Sequence, residues 1–272
     1  MILSQKLKTK KKGKVKSGHS QISMNCFILF FLNLYFYIVY LIFSMISIPV
    51  LIIFVAFISL FAPKRFVMKR FRRSISWYGK GVTSVFFPFI RLRYEDHSKN
   101  NSEEPHIFVS NHRSASDAFL MCVLPHEAVQ VVNIWPFRIP VLGFFARLAG
   151  YLNIRAMSHE LFLEKALKLL EEKVSIIFFP EGTRSGSKQV GNFHGSAFRL
   201  ALSSKASIVP LCITGNENML PKGSWLLRPG TIIVRRLPAI EWQDYRDMNV
   251  FSLKNMVREI ISRELSLMEK AA

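Results

Sequence analysis

The stretch "VSIIFFPEGTRSGS", residues 174–187, predicts the fold class of the domain that contains it. Its opening, "VSIIFF", is mostly apolar and rich in β-branched side chains, which is typical of a strand buried on both faces of a sheet. Pro180 and Gly182 then end the strand and start a loop with polar and charged side chains. Ligands of α/β sheets bind beyond the carboxyl ends of the strands, so this loop is a candidate binding site.

Three more short apolar runs also predict strands. They lie at residues 106–110 ("HIFVS"), 207–213 ("SIVPLCI") and 231–236 ("TIIVRR"). One helical pattern over residues 158–173 begins at the capping residue Ser158, and a shorter one covers residues 197–205. Strands that alternate with helices predict an α/β fold with a largely parallel central sheet flanked by helices. An amphipathic pattern at residues 251–270 predicts a closing helix.

The chain divides into four predicted segments. From the N-terminus these are a basic disordered tail (1–24), a membrane hairpin or pair of re-entrant helices (25–62), an interfacial connector (63–94) and an α/β domain (95–272). The domain begins with a polar stretch at 95–105, which lacks hydrophobic periodicity and predicts a loop.

The hairpin prediction rests on a long uncharged stretch. No charged residue occurs from Cys26 to Ala62, a range far longer than the apolar region of a signal peptide. One straight helix over this range would be about 55 Å long, whereas the hydrocarbon core of a bilayer is roughly 30 Å thick. We therefore expect a bend near "SMISIP" (44–49), where Pro49 ends one helix and the serines permit a turn. Both flanks are basic, which predicts that both lie on the cytoplasmic side.

The connector at 63–94 mixes Arg and Lys with Phe, Trp and Tyr. This mixture is typical of segments that lie at the headgroup boundary of a bilayer. A core helix of the following domain is the alternative interpretation.

The basic composition narrows the class of partner. The net charge is +19, and no Asp or Glu precedes Glu95, so the positive charge is concentrated in the N-terminal third. The lysine run at 6–16 is compatible with a solvated tail or with binding to nucleic-acid phosphates. An uncharged stretch follows it, and basic residues beside a membrane segment are attracted to anionic lipid. We therefore expect a membrane with anionic lipid as the partner, and no nucleic acid.

Cysteine and histidine spacing predicts neither a disulfide nor a metal site. Cys26, Cys122 and Cys212 all lie in apolar stretches, which favours small buried side chains in a reducing compartment. No Cys/His cluster has the spacing of a zinc site.

A second stretch, "VSNHRSASDAF" at 109–119, places His112 five positions before Asp117, directly after a predicted strand. A carboxylate on one imidazole nitrogen fixes the tautomer and leaves the other nitrogen to take a proton from a hydroxyl. The alternative is an aspartate favoured by a helix start beside an ordinary loop histidine, and the pair alone does not decide between them. A serine hydrolase is disfavoured because the chain has no Gly-x-Ser-x-Gly sequence.

The loop after the strand at 174–179 adds a second candidate site. Gly182 allows close backbone approach to a ligand, and Thr183 and Arg184 can hold a phosphate oxygen. An ordinary turn with a surface ion pair is the alternative interpretation.

"NHRSASD" (111–117) followed by "FFPEGTRS" (178–185) resembles the glycerolipid acyltransferase family. Two further stretches agree with that family in order and spacing, "IPVLGFFARLAGYLNIRA" (139–156) and "IVPLCITG" (208–215). The resemblance covers roughly residues 75–240. A two-helix N-terminal element that lies in one leaflet is also known in the family.

The resemblance implies transfer of an acyl chain from acyl-CoA or acyl carrier protein to the free hydroxyl of 1-acylglycerol-3-phosphate, giving phosphatidic acid for phospholipid synthesis. It implies that His112 is the general base, that Asp117 orients it, and that Pro210 shapes the acyl-donor side. The positions that match acceptor-binding residues are Arg155, Glu181, Gly182, Thr183 and Arg184. No metal or redox cofactor is implied. We expect a membrane location with the active site on the cytoplasmic side; if the source is bacterial, this is the inner membrane.

Two other functions stay open at this point. The same chemistry on another lysolipid, such as lyso-ornithine lipid or a lysophospholipid with a larger head group, fits the same motifs. A basic membrane-anchored binding protein would account for the tail and the hairpin, but not for the two motifs.

Overall fold

A computed structural model describes residues 26–98, 104–114, 116–185, 189–219 and 224–271. The predicted basic tail lies outside these residues. The strands are β1 (Ile90–Asp96), β2 (Ile107–Ser110), β3 (Ala128–Val132), β4 (Leu152–Asn153), β5 (Ser175–Phe178), β6 (Ile208–Thr214) and β7 (Gly230–Arg236). The helices are α1 (Cys26–Ser59), α2 (Lys64–Val85), α3 (Asp117–Leu120), α4 (Pro140–Leu148), α5 (His159–Glu171), α6 (Ser196–Ser204), α7 (Asn216–Met219), α8 (Trp242–Tyr245) and α9 (Val250–Ala271).

The seven strands form one mixed sheet in the order β1-β7-β6-β2-β5-β3-β4. Every neighbouring pair is parallel except β6 and β7, which run antiparallel. The predicted α/β fold with a largely parallel sheet is therefore confirmed, as are the four strands and three helices read from the sequence. Ser158 caps α5 as predicted, since its side chain accepts a hydrogen bond from the Leu161 N–H at 3.2 Å.

Helices cover both faces of the sheet. Ile107 and Val109 pack into a core cluster with buried residues of α5, α6 and α9, whereas Phe108 packs into a second cluster on the opposite face. Side chains alternate between the faces of a strand, so Ile107, Phe108 and Val109 are all apolar because both faces of β2 are buried. This central strand leads directly into the loop that carries His112.

Three strands were missed by the sequence interpretation. β1 begins at Ile90, inside the predicted connector, and continues to Asp96, inside the predicted polar loop. Its sequence "IRLRYED" alternates apolar with charged residues because β1 is an edge strand with one solvated side. Gln130 interrupts the apolar run of β3, and β4 has only two residues, so neither shows a clear pattern. The sheet therefore begins upstream of the boundary predicted at residue 95.

The predicted bend at Pro49 is wrong. α1 continues from Cys26 to Ser59 with Pro49 inside it. The serines expected to form a turn instead donate their hydroxyls to carbonyls four residues earlier, Ser44 to Tyr40 O at 2.7 Å and Ser47 to Phe43 O at 2.6 Å. These bonds satisfy the two hydroxyls within the helix itself, so the serines form no turn.

The predicted membrane hairpin within residues 25–62 is not shown; α1 instead packs against α2, which lies outside that range. Tyr78 of α2 stacks on Phe43 of α1 with ring centroids 5.8 Å apart, and Phe86 lies 5.6 Å from Phe36. These contacts show that the two helices run antiparallel. α1 is long and apolar enough to cross a membrane by length and composition, and its buried residues are Asn33 and Phe36. α2 is amphipathic and basic, and this composition is the one that predicts an interfacial connector.

Ion pairs fix α2 to the α/β domain. Glu127 accepts from Arg65 and from Arg72, each at 2.8 Å. Arg72 is buried and also donates to the Ala149 carbonyl at 2.8 Å, while Arg65 donates to the Glu172 carbonyl at 2.7 Å. α2 therefore combines the two interpretations of the connector, because it packs against α1 along its length and against the domain through its arginines.

Candidate active site

His112 lies just beyond the carboxyl end of β2, and Asp117 begins α3. The backbone between them folds back, so that His112 Nδ1 lies 2.9 Å from Asp117 Oδ2. The predicted His–Asp pair is thus formed in the structure. The spacing works because the strand end and the first helical turn are separated by one tight loop, whose backbone N–H groups point at the carboxylate.

Asp117 is fully buried and is held by further hydrogen bonds. Its Oδ2 also accepts from the backbone N–H groups of Arg113 at 2.7 Å and Ser114 at 2.8 Å. Its Oδ1 accepts from Asn216 Nδ2 at 2.6 Å. Donors on both oxygens fix the orientation of the carboxylate, and the carboxylate in turn fixes the imidazole ring of His112.

The other nitrogen of His112 is available for chemistry. No described residue makes a hydrogen bond to Nε2, and the side chain is 20% exposed. The ring packs against Phe179, with ring centroids 4.8 Å apart. When Nδ1 donates its proton to Asp117, Nε2 keeps a lone pair and can accept a proton from a hydroxyl in the site.

Glu181 joins the loop that follows β5 from Phe179 to Ser185 (the β5 loop) to the loop after β2 that carries His112 (the catalytic loop). Its Oε1 accepts from the His112 backbone N–H and its Oε2 from the Gly191 N–H, both at 2.8 Å. Burial raises the pKa of Glu181, although the two N–H groups act in the opposite direction. Because each oxygen binds a backbone N–H, Glu181 holds the two loops together; its predicted role toward a ligand stays a prediction.

The next three residues of the β5 loop, Gly182 to Arg184, are exposed. Gly182 has φ +69°, and a Cβ there would lie 3.0 Å from the His194 ring, so the backbone conformation and the close approach both favour glycine. Thr183 and Arg184 are exposed. No described residue forms an ion pair with Arg184. An exposed guanidinium without an internal partner is suited to an anionic ligand.

Arg155 lies at the same edge of the sheet but farther along it. It follows β4, and its backbone N–H donates to Asn153 Oδ1 at 3.2 Å. β4 is three strands away from β2 in the sheet order, which corresponds to about 14 Å at the usual strand spacing. The structure therefore groups His112 and Asp117 with the β5 loop, and places Arg155 toward the β4 edge.

Sequence reasoning missed Asn216, which follows β6 and begins α7. Its amide donates to Asp117, and its Oδ1 accepts from the Ser116 hydroxyl at 3.1 Å. Asn111 was also missed; it exchanges two hydrogen bonds with the Ile213 backbone, at 2.8 and 3.0 Å. Both residues follow strand ends that are neighbours in the sheet, which is a signal only once the strand order is known.

Arg113 anchors the catalytic loop to the C-terminal part of the domain. It is buried and forms ion pairs with Glu217 at 3.1 Å and Glu269 at 2.6 Å. Glu269 belongs to α9, so the closing helix contacts the loop that carries His112. Pro210 lies in β6, paired with Val109 of β2, and its role toward an acyl donor stays a prediction.

The cysteines are only partly as expected. Cys122 and Cys212 are buried and unpaired, in line with the prediction, but Cys26 is exposed at the start of α1. Within the described residues there is no cluster of His, Cys, Asp or Glu that could hold a metal ion.

Comparison with known proteins gives a family match over part of the chain. Residues 91–214 match a family model described as acyltransferase. A 1-acyl-sn-glycerol-3-phosphate acyltransferase from Limnanthes alba is 32% identical over 186 residues, covering 66% of this chain and 65% of the relative. A 1-acyl-sn-glycerol-3-phosphate acyltransferase from Salmonella typhimurium is 27% identical, and the match covers 60% of this chain and 65% of the relative. The chain thus spans less than two thirds of the length of these relatives.

A solved structure shares the fold. The crystal structure of a 1-acyl-sn-glycerophosphate acyltransferase from Thermotoga maritima superposes with a TM-score of 0.73, covering 90% of this chain and 98% of that one at 23% identity. Its coverage extends beyond the matched family segment and therefore includes much of the helical N-terminal part.

Proposed function

We propose that this chain, whose residues 91–214 belong to the acyltransferase family, is a membrane-bound O-acyltransferase. It transfers an acyl chain from acyl-CoA or acyl carrier protein to the free hydroxyl of 1-acylglycerol-3-phosphate and so forms phosphatidic acid. The observation that carries the proposal is the His112–Asp117 pair, in which a buried carboxylate holds Nδ1 while no described residue occupies Nε2. The names of the relatives support the choice of acceptor.

The chemistry needs no nucleophile from the enzyme. Nε2 of His112 takes the proton of the acceptor hydroxyl as its oxygen attacks the thioester carbonyl carbon. The C–O bond forms, the tetrahedral intermediate collapses, and the C–S bond breaks. The departing thiolate receives the proton back from His112. Asp117 stabilises the transient imidazolium and keeps the ring in place, which is the His–Asp half of a catalytic triad with a substrate hydroxyl in place of serine.

The β5 loop supplies the means to hold the acceptor. Thr183 and Arg184 are exposed beside the catalytic loop, to which Glu181 ties them. A guanidinium and a hydroxyl are suited to the two or three oxygens of a phosphate monoester. Arg155 is also exposed, but it follows β4, three strands from β2, so its match to an acceptor-binding position stays a prediction.

The N-terminal helices support delivery of a lipid acceptor. α1 is apolar and exposed, and α2 is basic and fixed to the domain by Glu127. A lysolipid with a long acyl chain partitions into a bilayer, so an active site held at the membrane surface meets its acceptor there. The basic flanks favour the cytoplasmic side.

The test uses membranes from cells that express the full chain. They receive labelled acyl-CoA or acyl carrier protein together with a panel of lysolipids, and lipid products are separated and counted. We expect labelled phosphatidic acid from wild type, and a loss of about 10²- to 10⁴-fold in His112→Ala. His159→Ala, which changes an exposed histidine on α5, is the matched control and should retain activity.

Three outcomes would change the proposal. Activity that survives His112→Ala would overturn the general-base role. Activity on lyso-ornithine lipid or another lysophospholipid, without activity on 1-acylglycerol-3-phosphate, would replace the acceptor. No transfer to any lysolipid by wild type would favour the membrane-anchored binding protein instead.

A further inference from the structure

A cavity of about 550 Å³ lies against the edge strand β4, away from the His112 site. Three basic side chains line it, Arg138, Arg147 and Lys165, together with apolar groups that include Phe137 and Leu152. These basic residues come from separate parts of the chain, namely the turn before α4, α4 itself and α5. We call this cavity the cationic pocket.

The charge of the cationic pocket is not balanced from within. Its lining contains no Asp or Glu, and no described carboxylate lies within ion-pair distance of its three basic residues. Other arginines of the domain contrast with them, since Arg113 and Arg235 each pair with two carboxylates. Three uncompensated positive charges around a concave site attract a ligand with several negative charges.

One of the three is already oriented by the protein. Arg147 donates from Nη2 to the Phe137 carbonyl at 2.7 Å, and its guanidinium carbon lies 5.8 Å from the Phe137 ring centre. Its remaining N–H groups are therefore held in place for a ligand. Arg138 and Lys165 are exposed, so they can adjust to the positions of phosphate oxygens.

We propose that the cationic pocket binds the phosphates of the acyl donor, namely the 3′-phosphorylated adenosine diphosphate part of acyl-CoA. This inference rests on the proposed function and deepens it by naming the donor. A nucleotide fits the volume, which lies within the usual range of about 300 to 1,000 Å³ for small-molecule sites. The aromatic and apolar lining can contact the adenine ring, while the three cations meet the three phosphate groups.

Distance separates the donor from the acceptor as the source of these phosphates. β4 is three strands from β2, or about 14 Å. In 1-acylglycerol-3-phosphate about four bonds join the reacting hydroxyl oxygen to phosphorus, which is roughly 5 Å. In CoA about thirteen bonds join the thioester sulfur to the nearest phosphorus, and the extended arm reaches roughly 15 Å. Only the donor spans the sheet from His112 to the pocket.

The test measures binding and turnover with the full chain in detergent–lipid micelles. Arg138→Ala/Lys165→Ala removes two charges from exposed positions. Arg263→Ala/Lys270→Ala removes the same two residue types from exposed positions on α9 and is the control. The ligands are CoA, CoA without its 3′-phosphate, and glycerol 3-phosphate, with affinity measured by calorimetry.

We expect the pocket variant to bind CoA at least tenfold more weakly, with the control within twofold of wild type. The preference of wild type for CoA over its 3′-dephospho form should shrink in the pocket variant. In turnover, KM for acyl-CoA should rise at least tenfold, while KM for 1-acylglycerol-3-phosphate stays within twofold. Unchanged CoA affinity would overturn the proposal. Weaker binding of glycerol 3-phosphate instead would assign the pocket to the acceptor and also overturn it.

The same data separate this inference from the proposed function. Wild type that binds CoA through the pocket but transfers no acyl chain would leave the pocket standing and remove the function. Transfer that proceeds equally well in the pocket variant would leave the function standing and remove the pocket. Transfer from acyl carrier protein by an enzyme that does not bind CoA would do the same.

Discussion

The catalytic loop after β2 and the cation-bearing segments after β4 and β5 lie along one edge of the sheet but are built in opposite ways. Asp117 accepts hydrogen bonds from His112, Arg113, Ser114 and Asn216, so the catalytic pair is rigid before any substrate arrives. Arg184 and Arg155 are exposed, and no described residue pairs with their guanidinium groups. In the proposed reaction, the group that moves a proton is preorganised inside the protein, whereas an exposed cation proposed to bind phosphate, such as Arg184, is left for the ligand to complete.

Asp117→Asn disrupts the hydrogen-bonded His112–Asp117 pair and should have the largest effect on activity. An asparagine must turn its NH₂ either toward Arg113, Ser114 and His112 or toward the Asn216 amide, so donors face donors in both orientations. We expect kcat to fall about 10²- to 10⁴-fold, with KM for the acceptor nearly unchanged. The measurement is steady-state acyl transfer in micelles.

Asp247→Asn is the matched control because Asp247 is strongly exposed and far along the chain. It should behave as wild type. If Asp117→Asn also kept wild-type kcat, the buried hydrogen bonds would have no role in the proton transfer.

Arg184→Ala tests the exposed cation-bearing segment after β5. Its effect should be smaller than that of Asp117→Asn and should fall on binding of the acceptor. Loss of one charge-assisted hydrogen bond to phosphate should raise KM for the acceptor about tenfold and leave kcat largely intact. Because Arg184 is exposed, added salt should raise the wild-type KM and narrow the difference between the two proteins. Arg199→Ala, an exposed arginine on α6, is the control. A fall in kcat with unchanged KM would contradict the assignment of Arg184 to acceptor binding and not to proton transfer.

Glu181→Gln sharpens the comparison, because Glu181 is the residue that joins the two loops. A glutamine leaves one of the two backbone N–H groups facing an amide NH₂, which should lower the free energy of unfolding by about 1–3 kcal/mol. The expected effect on kcat is smaller than that of Asp117→Asn, since Glu181 contacts the backbone of His112 and not its ring.

The difference in unfolding free energy between wild type and Glu181→Gln should change with pH in a direction that the raised pKa of Glu181 sets. Burial raises the pKa of Glu181 above its ordinary value of 4.5, so the folded chain binds this proton more tightly than the unfolded chain. The stabilisation from that proton is fully present below pH 4.5 and is lost as the pH rises through the raised pKa. The advantage of wild type over Glu181→Gln in denaturant unfolding should therefore narrow from pH 4 to pH 7. An advantage that widens over this range would show that the two N–H groups outweigh burial; Glu164→Gln, at an exposed position, is the control.

Prediction from the sequence succeeded where the deciding contacts are local. His112 and Asp117 belong to one strand–turn–helix unit, and a separation of five residues is enough to fix their geometry. The capped helix at 159–171 and the strand at 175–178 follow from hydrophobic period and end signals within a few residues. The bend at Pro49 failed because a local rule for proline was outweighed by a long apolar helix whose serines bond to the backbone.

The sequence by itself determined the α/β alternation, the long uncharged N-terminal stretch and the His–Asp pair, since each depends on neighbours within one element or one turn. Only the tertiary structure decided that Asn216 donates a hydrogen bond to Asp117, which lies 99 positions earlier in the chain. It also decided that Glu181 binds the backbone of two loops, that α2 packs antiparallel against α1, and that three cations distant in sequence line one pocket. The physical reason is that these contacts depend on strand order and helix packing, which bring together residues whose separation along the chain carries no local signal.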